Sequence, residues 1–161
     1  MSLLGSDPAV WLRALHVVAV VHWIGGVWFV TFVVLPAVAR FEAPERAVAL
    51  FEAVENRFAV QARVSTALAG IAGFWLTWDL HAFDRFADPR FWWMHAMVAL
   101  WAVFTVVLFV AEPLFLHRWF AARAARDPVG TMRLVLRLHR VLSTLAAVTV
   151  LGAVLGSHGL V

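Results

Sequence analysis

Apolar residues in this chain are grouped in four long runs, interrupted mostly by small or aromatic residues. A helix needs about 20 such residues to cross the hydrocarbon core of a bilayer. Lipid offers no partner to backbone N–H and C=O groups, and the runs lack the ten-residue alternation of a membrane β-strand. We therefore predict four membrane-spanning helices, at about residues 10–39, 58–80, 90–117 and 132–156.

The segments between the runs are short, so the predicted fold is a single all-α domain over residues 1–161, a compact four-helix membrane bundle. Residues 41–64 carry apolar positions at spacings of three and four after Pro44, which predicts an amphipathic helix leading into the second span. Small residues such as Gly152 and Gly156 favour close helix packing, and they leave open whether the chain forms a homo-oligomer.

Composition agrees with a membrane protein. The chain is 63% hydrophobic and 14% charged, whereas soluble domains are roughly 45–50% apolar and about 25% charged. The net charge of +3 comes from arginines near the ends of the spans, where anionic lipid head groups are the expected partner and no nucleic acid is needed. The lack of cysteine excludes disulfides and thiolate metal sites.

Arginine placement predicts the orientation of the helices. Ten of the thirteen arginines lie in or near the first and third connections, and three, Arg13, Arg85 and Arg90, lie on the other side. Cytoplasmic loops carry the excess of positive charge. Both termini are therefore expected outside the cytoplasm in a multi-pass protein.

Two histidines lie inside the spans at similar expected depths. His16 lies roughly 10 Å into the first helix, and His95 a similar distance into the third, since both helices enter from outside. Ionisable groups inside a span are functional by default. Two imidazoles at matched depth, each presenting Nε2, suit axial ligation of haem iron. Arg13 and Arg90 lie near the mouths of the same two helices, where they could meet haem propionates.

His22 lies on another face of the first helix. It follows His16 by six residues, which places it about 9 Å deeper and about 120° around the helix. Near Gly25 and Gly26, a flat ligand or another helix could approach it closely. A second haem, a quinone contact and an interhelical hydrogen bond all stay open for this residue.

Other polar residues carry weaker signals. Met94, His95 and Met97 suggest copper, because thioether and imidazole suit Cu(I), although they point in different directions on a straight helix. Glu112 precedes Pro113 and is either part of a proton path or a helix-end carboxylate. Four further histidines are interpreted as interfacial side chains: His81, His117, His139 and His158.

The stretches "LHVVAVVHWIGGVWFVTFVVLPAV" and "RFWWMHAMVALW" resemble the bacterial CopD/HemJ group of small membrane proteins. That group includes the copper-resistance D proteins and the haem-binding HemJ-type protoporphyrinogen oxidases. The resemblance covers most of the chain at the level of helix order. Its specific part is His16, the later Trp-Ile-Gly-Gly sequence, and His95 near the start of the third helix.

The resemblance implies a haem b protein of the bacterial inner membrane. HemJ-type proteins are associated with a lysine close after the third-helix histidine, and this chain contains no lysine. The resemblance therefore implies haem binding more than porphyrinogen oxidation. We predict a haem b-binding redox protein, either an oxidoreductase or an electron carrier, with catalytic residues unassigned and quinone or porphyrin chemistry left open. The alternative is a copper-handling or copper-transport protein of the copper-resistance D type.

Overall fold

A computed structural model describes residues 8–160, and within that range every regular element is helical. The first rod comprises α1, a π-helical turn and α2, at Pro8–Phe29, Val30–Val34 and Leu35–Phe41. The second is α3, Pro44–Asp79. The third comprises α4, a π-helical segment and α5, at Trp92–Val106, Val107–Leu116 and His117–Arg126. The fourth is α6, Pro128–Ser157. Two short 3₁₀ turns, Phe83–Ala87 and Pro89–Phe91, join the second rod to the third.

Three of the rods are long and apolar enough to cross a membrane: Pro8–Phe41, Pro89–Arg126 and Pro128–Ser157. Within the described residues this confirms the prediction of an all-helical protein, and three helices with the length and hydropathy of membrane spans are consistent with a multi-pass membrane protein. The second rod, α3, is 36 residues long but does not meet the same measure of hydropathy and charge. Its uncharged stretch, 64–78, covers only about 22 Å of helix, against a hydrocarbon core about 30 Å thick.

Proline and aspartate set where the helices begin. Pro44 occupies the first turn of α3, where a missing N–H costs nothing. Asp127 precedes Pro128 at the start of α6, and its carboxylate accepts a hydrogen bond from the Gly130 N–H at 2.8 Å. The predicted amphipathic helix after Pro44 is confirmed, and it continues without a break through the predicted second span.

The first two rods run antiparallel and pack along much of their length. His16 in the N-terminal half of α1 contacts Ala69, and a Cβ at Gly26, further along, would collide with the Phe58 ring. As the number rises on α1 it therefore falls on α3. The lack of a side chain at Gly26 lets the aromatic ring lie directly on the helix backbone.

The second and third rods are antiparallel too. The Trp101 indole donates to the Thr66 carbonyl at 2.9 Å, and Arg63 contacts Leu108 one to two turns further along α4 and its π-helical continuation. Lipid supplies no acceptor for an indole N–H, so this bond stabilises the pairing of the two rods. These contacts fix the heights at which residues of neighbouring rods face one another.

Aromatic and small side chains fill the centre of the bundle. Trp23 and Phe104 meet edge to face with ring centroids 4.9 Å apart, packed with Ala69 and Ala146. Among the polar groups of the core, Thr31 and Ser143 share a hydrogen bond of 3.0 Å and are fully buried. The α1 and α4 rods therefore touch across the middle of the bundle rather than enclosing an open channel there.

Candidate functional site

His16 is held by the backbone of α3. Its Nδ1 lies 2.9 Å from the Ala69 carbonyl oxygen. Because a carbonyl only accepts, Nδ1 carries the proton, and in the neutral ring the lone pair lies on Nε2. Gly73 lies one turn further along α3, and a Cβ there would stand 3.0 Å from His16 Cε1. The ring therefore occupies space that only glycine at this position leaves free.

His95 has a different environment. Its Nε2 lies 3.0 Å from the Phe86 carbonyl in the 3₁₀ turn before α4, and its ring meets the Phe86 ring edge to face at 5.2 Å. The proton is therefore on Nε2 and the lone pair of the neutral ring on Nδ1. The sequence analysis expected Nε2 as the coordinating atom. The connection before α4 turns back over the helix, and sequence periodicity does not show that turn.

The group that the family resemblance implies is haem b, and the two rings suit it unequally. His16 has the arrangement of an iron ligand, with one nitrogen held by a carbonyl and the other free to coordinate. His95 is exposed and presents Nδ1 as it stands. Each ring has a separate backbone partner, Ala69 for one and Phe86 for the other. Each ring therefore keeps one nitrogen free of these bonds, Nε2 of His16 and Nδ1 of His95, and imidazole nitrogens of this kind are chemically suited to bind haem iron.

The two arginines expected near propionates differ in their partners. Arg90 forms an ion pair of 2.6 Å with Asp88, and this hydrogen bonding lowers the pKa of the Asp88 carboxyl. Its guanidinium charge is therefore already matched. Arg13 is exposed and makes no ion pair with any residue in 8–160. Arg13 is thus the better placed of the two to meet an anionic group.

A three-ligand metal site does not form in the described part of the chain. No group of three or more His, Asp or Glu side chains there could hold a metal ion. Met94 is buried, whereas His95 next to it is exposed and turned toward Phe86. The copper alternative therefore gains no cluster from the fold, while a haem iron with two ligands does not require one.

His22 lies in a groove between α1 and α3. Two adjoining cavities of about 470 and 380 Å³ both include His22 and Gln61 in their walls. Gly25, Arg57 and Phe58 are among the other residues that line the larger one. The sequence analysis placed His22 beside the glycines, but it did not identify Arg57 or Gln61 as its neighbours. Both cavities lie on this groove, and His16 does not line either of them.

An ion pair between Arg63 and Glu112 joins the second rod to the third. The Arg63 Nη2 lies 2.9 Å from Glu112 Oε2, and Nε donates to the Leu108 carbonyl at 3.0 Å. The sequence analysis considered Glu112 but not Arg63 as its partner. An arginine at the inner end of one span and a carboxylate at the inner end of the next, both at the same expected depth, would have been the signal.

Glu55 is a titratable group that the sequence analysis missed. It lies on α3 just before the second predicted span. Burial raises the pKa of the Glu55 carboxyl to about 7, with further contributions from the negative charges of Glu112 and Glu52. The contribution of Glu112 means that Glu55 interacts electrostatically with the Arg63–Glu112 pair.

No protein-family model matches the chain, and neither a curated protein nor a solved structure matches it significantly.

Proposed function

We propose that this chain is a haem b-binding redox protein of the bacterial inner membrane, with His16 and His95 as the axial ligands. The observation that carries the proposal is the His16 ring, whose Nδ1–H is held by the Ala69 carbonyl. A backbone carbonyl on one imidazole nitrogen fixes the tautomer and aims the other nitrogen, as in metal-ligating histidines generally.

His95 is the second ligand because of its position at the outer start of α4. Its neutral ring offers Nδ1 while the Phe86 carbonyl holds Nε2. If the ring leaves Phe86, either nitrogen becomes available. The turn that contains Phe86 is a short 3₁₀ helix on the outer connection, so this exchange needs no movement of a membrane-spanning helix.

The chain's own residues would position and shield the bound group. His16 is fixed by Ala69 and by the space over Gly73, which favours one ring orientation. Trp93 and Met94, which precede His95 in the chain, are buried and would contribute apolar surroundings on this side of the bundle. Arg13 would meet a carboxylate of the group at the outer surface. A haem iron held in this way supplies one-electron redox chemistry, which suits either an oxidoreductase or an electron carrier.

The proposed topology has four crossings, with both termini outside the cytoplasm. Support comes from the pairing of α1 with α3, since residues 16–26 of α1 face residues 58–73 of α3 in antiparallel order. If this part of α1 lies within the bilayer, the facing part of α3 lies at the same depth. Packing against α1 also covers one side of α3. A helix that is partly covered in this way needs less hydropathy to cross a membrane.

The test is absorption spectroscopy of the purified full-length protein and of three variants: His16→Ala, His95→Ala and the double variant. We expect a red protein with a low-spin spectrum, a shift to high spin or partial haem loss in each single variant, and no haem in the double variant. His22→Ala is the matched control on the same helix, and it should keep the low-spin spectrum.

Three results would contradict the proposal. Unchanged low-spin haem in all three variants would remove His16 and His95 as ligands. Colourless protein that retains copper would favour the copper-handling alternative. Loss of haem in His22→Ala, with haem retained in His16→Ala, would show that the first-helix ligand is His22.

A further inference from the structure

The groove between α1 and α3 combines polar side chains with apolar walls at membrane depth. His22, Arg57 and Gln61 line the larger cavity, and His22 and Gln61 also line the smaller one. Arg57 and Gln61 are four residues apart on α3, so they lie on one face of that helix. The smaller cavity continues along apolar side chains such as Leu15, Val64 and Leu68.

These three polar side chains lack partners in the described part of the chain. Within residues 8–160, none of them makes a hydrogen bond or ion pair through its side chain, and all three are exposed. His22 lies about 18 Å along the helix from Val10, well inside the first span. A polar side chain that faces hydrocarbon without a partner is unfavourable, because lipid cannot replace the hydrogen bonds it would make with water. The groove therefore favours an occupant that accepts hydrogen bonds.

The shape of the larger cavity suits a flat ring. A Cβ built at Gly25 would meet no atom within 4 Å, so the backbone there is open to a ligand. The aromatic side chains of Phe29 and Phe58 border the same cavity. Flat rings pack favourably against aromatic side chains and against a helix surface without side chains.

We propose that this groove binds an isoprenoid quinone, with its ring in the cavity of His22, Arg57 and Gln61 and its chain along the apolar cavity. The two carbonyl oxygens on opposite edges of a quinone ring can accept hydrogen bonds from donors on both helices at once. No carboxylate lines either cavity, so an acceptor-rich head group meets no repulsion there. Use of the quinone as an electron partner rests on the proposed function, whereas its binding does not.

A phospholipid would satisfy the groove less well. Its phosphate stays near the head-group region, where Arg57 at the inner end of the second predicted span could bind it. His22 lies further into the bilayer and would keep an unpaired N–H under a phospholipid. A neutral quinone ring can enter the hydrocarbon core and reach His22, and the depth of this residue favours the quinone.

The experiment is photolabelling of the full-length protein in lipid nanodiscs with an azido-ubiquinone that carries two isoprene units. Labelled peptides are identified by mass spectrometry, with unlabelled ubiquinone as competitor. We expect labels within residues 15–30 and 54–68. His22→Leu removes a donor, and Gly25→Leu places a side chain in the open space, where a Cβ meets no atom within 4 Å. Each should weaken labelling by at least about tenfold, the effect of losing roughly 1.4 kcal/mol of binding free energy.

His117→Leu is the matched control, since His117 is exposed and lies outside both cavities. It should label like the unsubstituted protein. The proposal would be overturned if His22→Leu and Gly25→Leu were labelled as strongly as the unsubstituted protein, or if labels were confined to α4 or α6. Displacement of the label by phosphatidylglycerol but not by ubiquinone would overturn it too. Haem content is measured in the same samples. Protein that is labelled but contains no haem supports the quinone site and contradicts the proposed function. Protein that contains haem but is not specifically labelled supports the proposed function and contradicts the quinone site.

Discussion

The Arg63 Nε donates a hydrogen bond of 3.0 Å to the carbonyl of Leu108, which lies five residues before Pro113. In a π-helix each carbonyl bonds the N–H five residues ahead, and proline has no N–H. The segment Val107–Leu116 is π-helical and contains Pro113. Arg63 therefore supplies the donor that the Leu108 carbonyl lacks, and its Nη2 also neutralises Glu112.

Arg63→Met should destabilise the protein through this carbonyl. The Arg63 side chain is 34% exposed and the Glu112 side chain 21% exposed. We therefore expect a modest loss of about 1–3 kcal/mol in the free energy of unfolding. In a Pro113→Ala background, the new N–H can bond Leu108 itself. The cost of Arg63→Met should then fall by about 1 kcal/mol in a double-mutant cycle, measured by thermal melting in detergent.

Arg133→Met is the control for that cycle, since Arg133 is an exposed arginine on α6. It should change stability by less than about 0.5 kcal/mol in both backgrounds. The same cost of Arg63→Met with and without Pro113 would show that Glu112 alone accounts for the role of Arg63.

The helices were predictable because bilayer thickness and backbone hydrogen bonding both act locally on the sequence. Long apolar runs and Pro44 were sufficient to indicate the rods and the beginning of α3. The hydrogen bond from Arg63 to Leu108 was not predictable, because it depends on how two helices 45 residues apart in sequence are placed along each other.

The candidate site shows the same division between local and tertiary information. Position in the first span identified His16, and the glycines beside His22 indicated an open helix face. The carbonyls that hold His16 and His95 could not be read from the sequence. The bond from His95 to Phe86 depends on a turn that folds back over α4, and composition carries no signal for such a turn.

Glu55→Gln should make stability less dependent on pH. The pKa of Glu55 is raised to about 7 in the folded protein, from 4.5 for an unperturbed carboxyl. Between these two values the folded state binds a proton that the unfolded state has lost. Stability therefore falls as pH rises from about 4.5 to about 7, by up to roughly 3 kcal/mol. Well above pH 7 the folded protein carries the full free-energy cost of a buried, ionised Glu55 carboxylate. Glu55→Gln should remove this cost.

Melting temperatures of the detergent-solubilised protein at pH 5 and pH 8 measure this effect. Glu55→Gln should raise the melting temperature more at pH 8 than at pH 5. Glu45→Gln provides a control at an exposed carboxylate of the same helix. An equal effect of Glu55→Gln at both pH values would mean that Glu55 ionises at its ordinary pKa.

Topology can be tested with two reporters. With four crossings, a reporter fused after Val161, which lies outside the described residues, should be active in the periplasm. A reporter inserted near Arg126 should be active in the cytoplasm, because α5 ends there among several arginines. If α3 does not cross, the Arg126 and C-terminal reporters should exchange sides, and the matched depths of His16 and His95 would lose their basis.

Gly73→Ala should displace the His16 ring. The added methyl group would stand 3.0 Å from Cε1 and 3.2 Å from Nδ1 of His16, tighter than an ordinary contact, so the ring must shift by a few tenths of an ångström, which strains its hydrogen bond to the Ala69 carbonyl. Alanine is favoured over glycine within a helix by about 1 kcal/mol, and Gly25→Ala, where space is open, measures that gain alone. We expect Gly73→Ala to gain less stability than Gly25→Ala. The difference in the free energy of unfolding should be about the 0.5–1.5 kcal/mol of a hydrogen bond.

In ¹⁵N spectra of labelled histidine, the Nδ1–H signal of His16 should shift in Gly73→Ala and stay in place in Gly25→Ala. Identical spectra and equal stability gains in the two variants would show that Gly73 does not hold the ring, and that the space over this glycine plays no part in aiming the His16 lone pair.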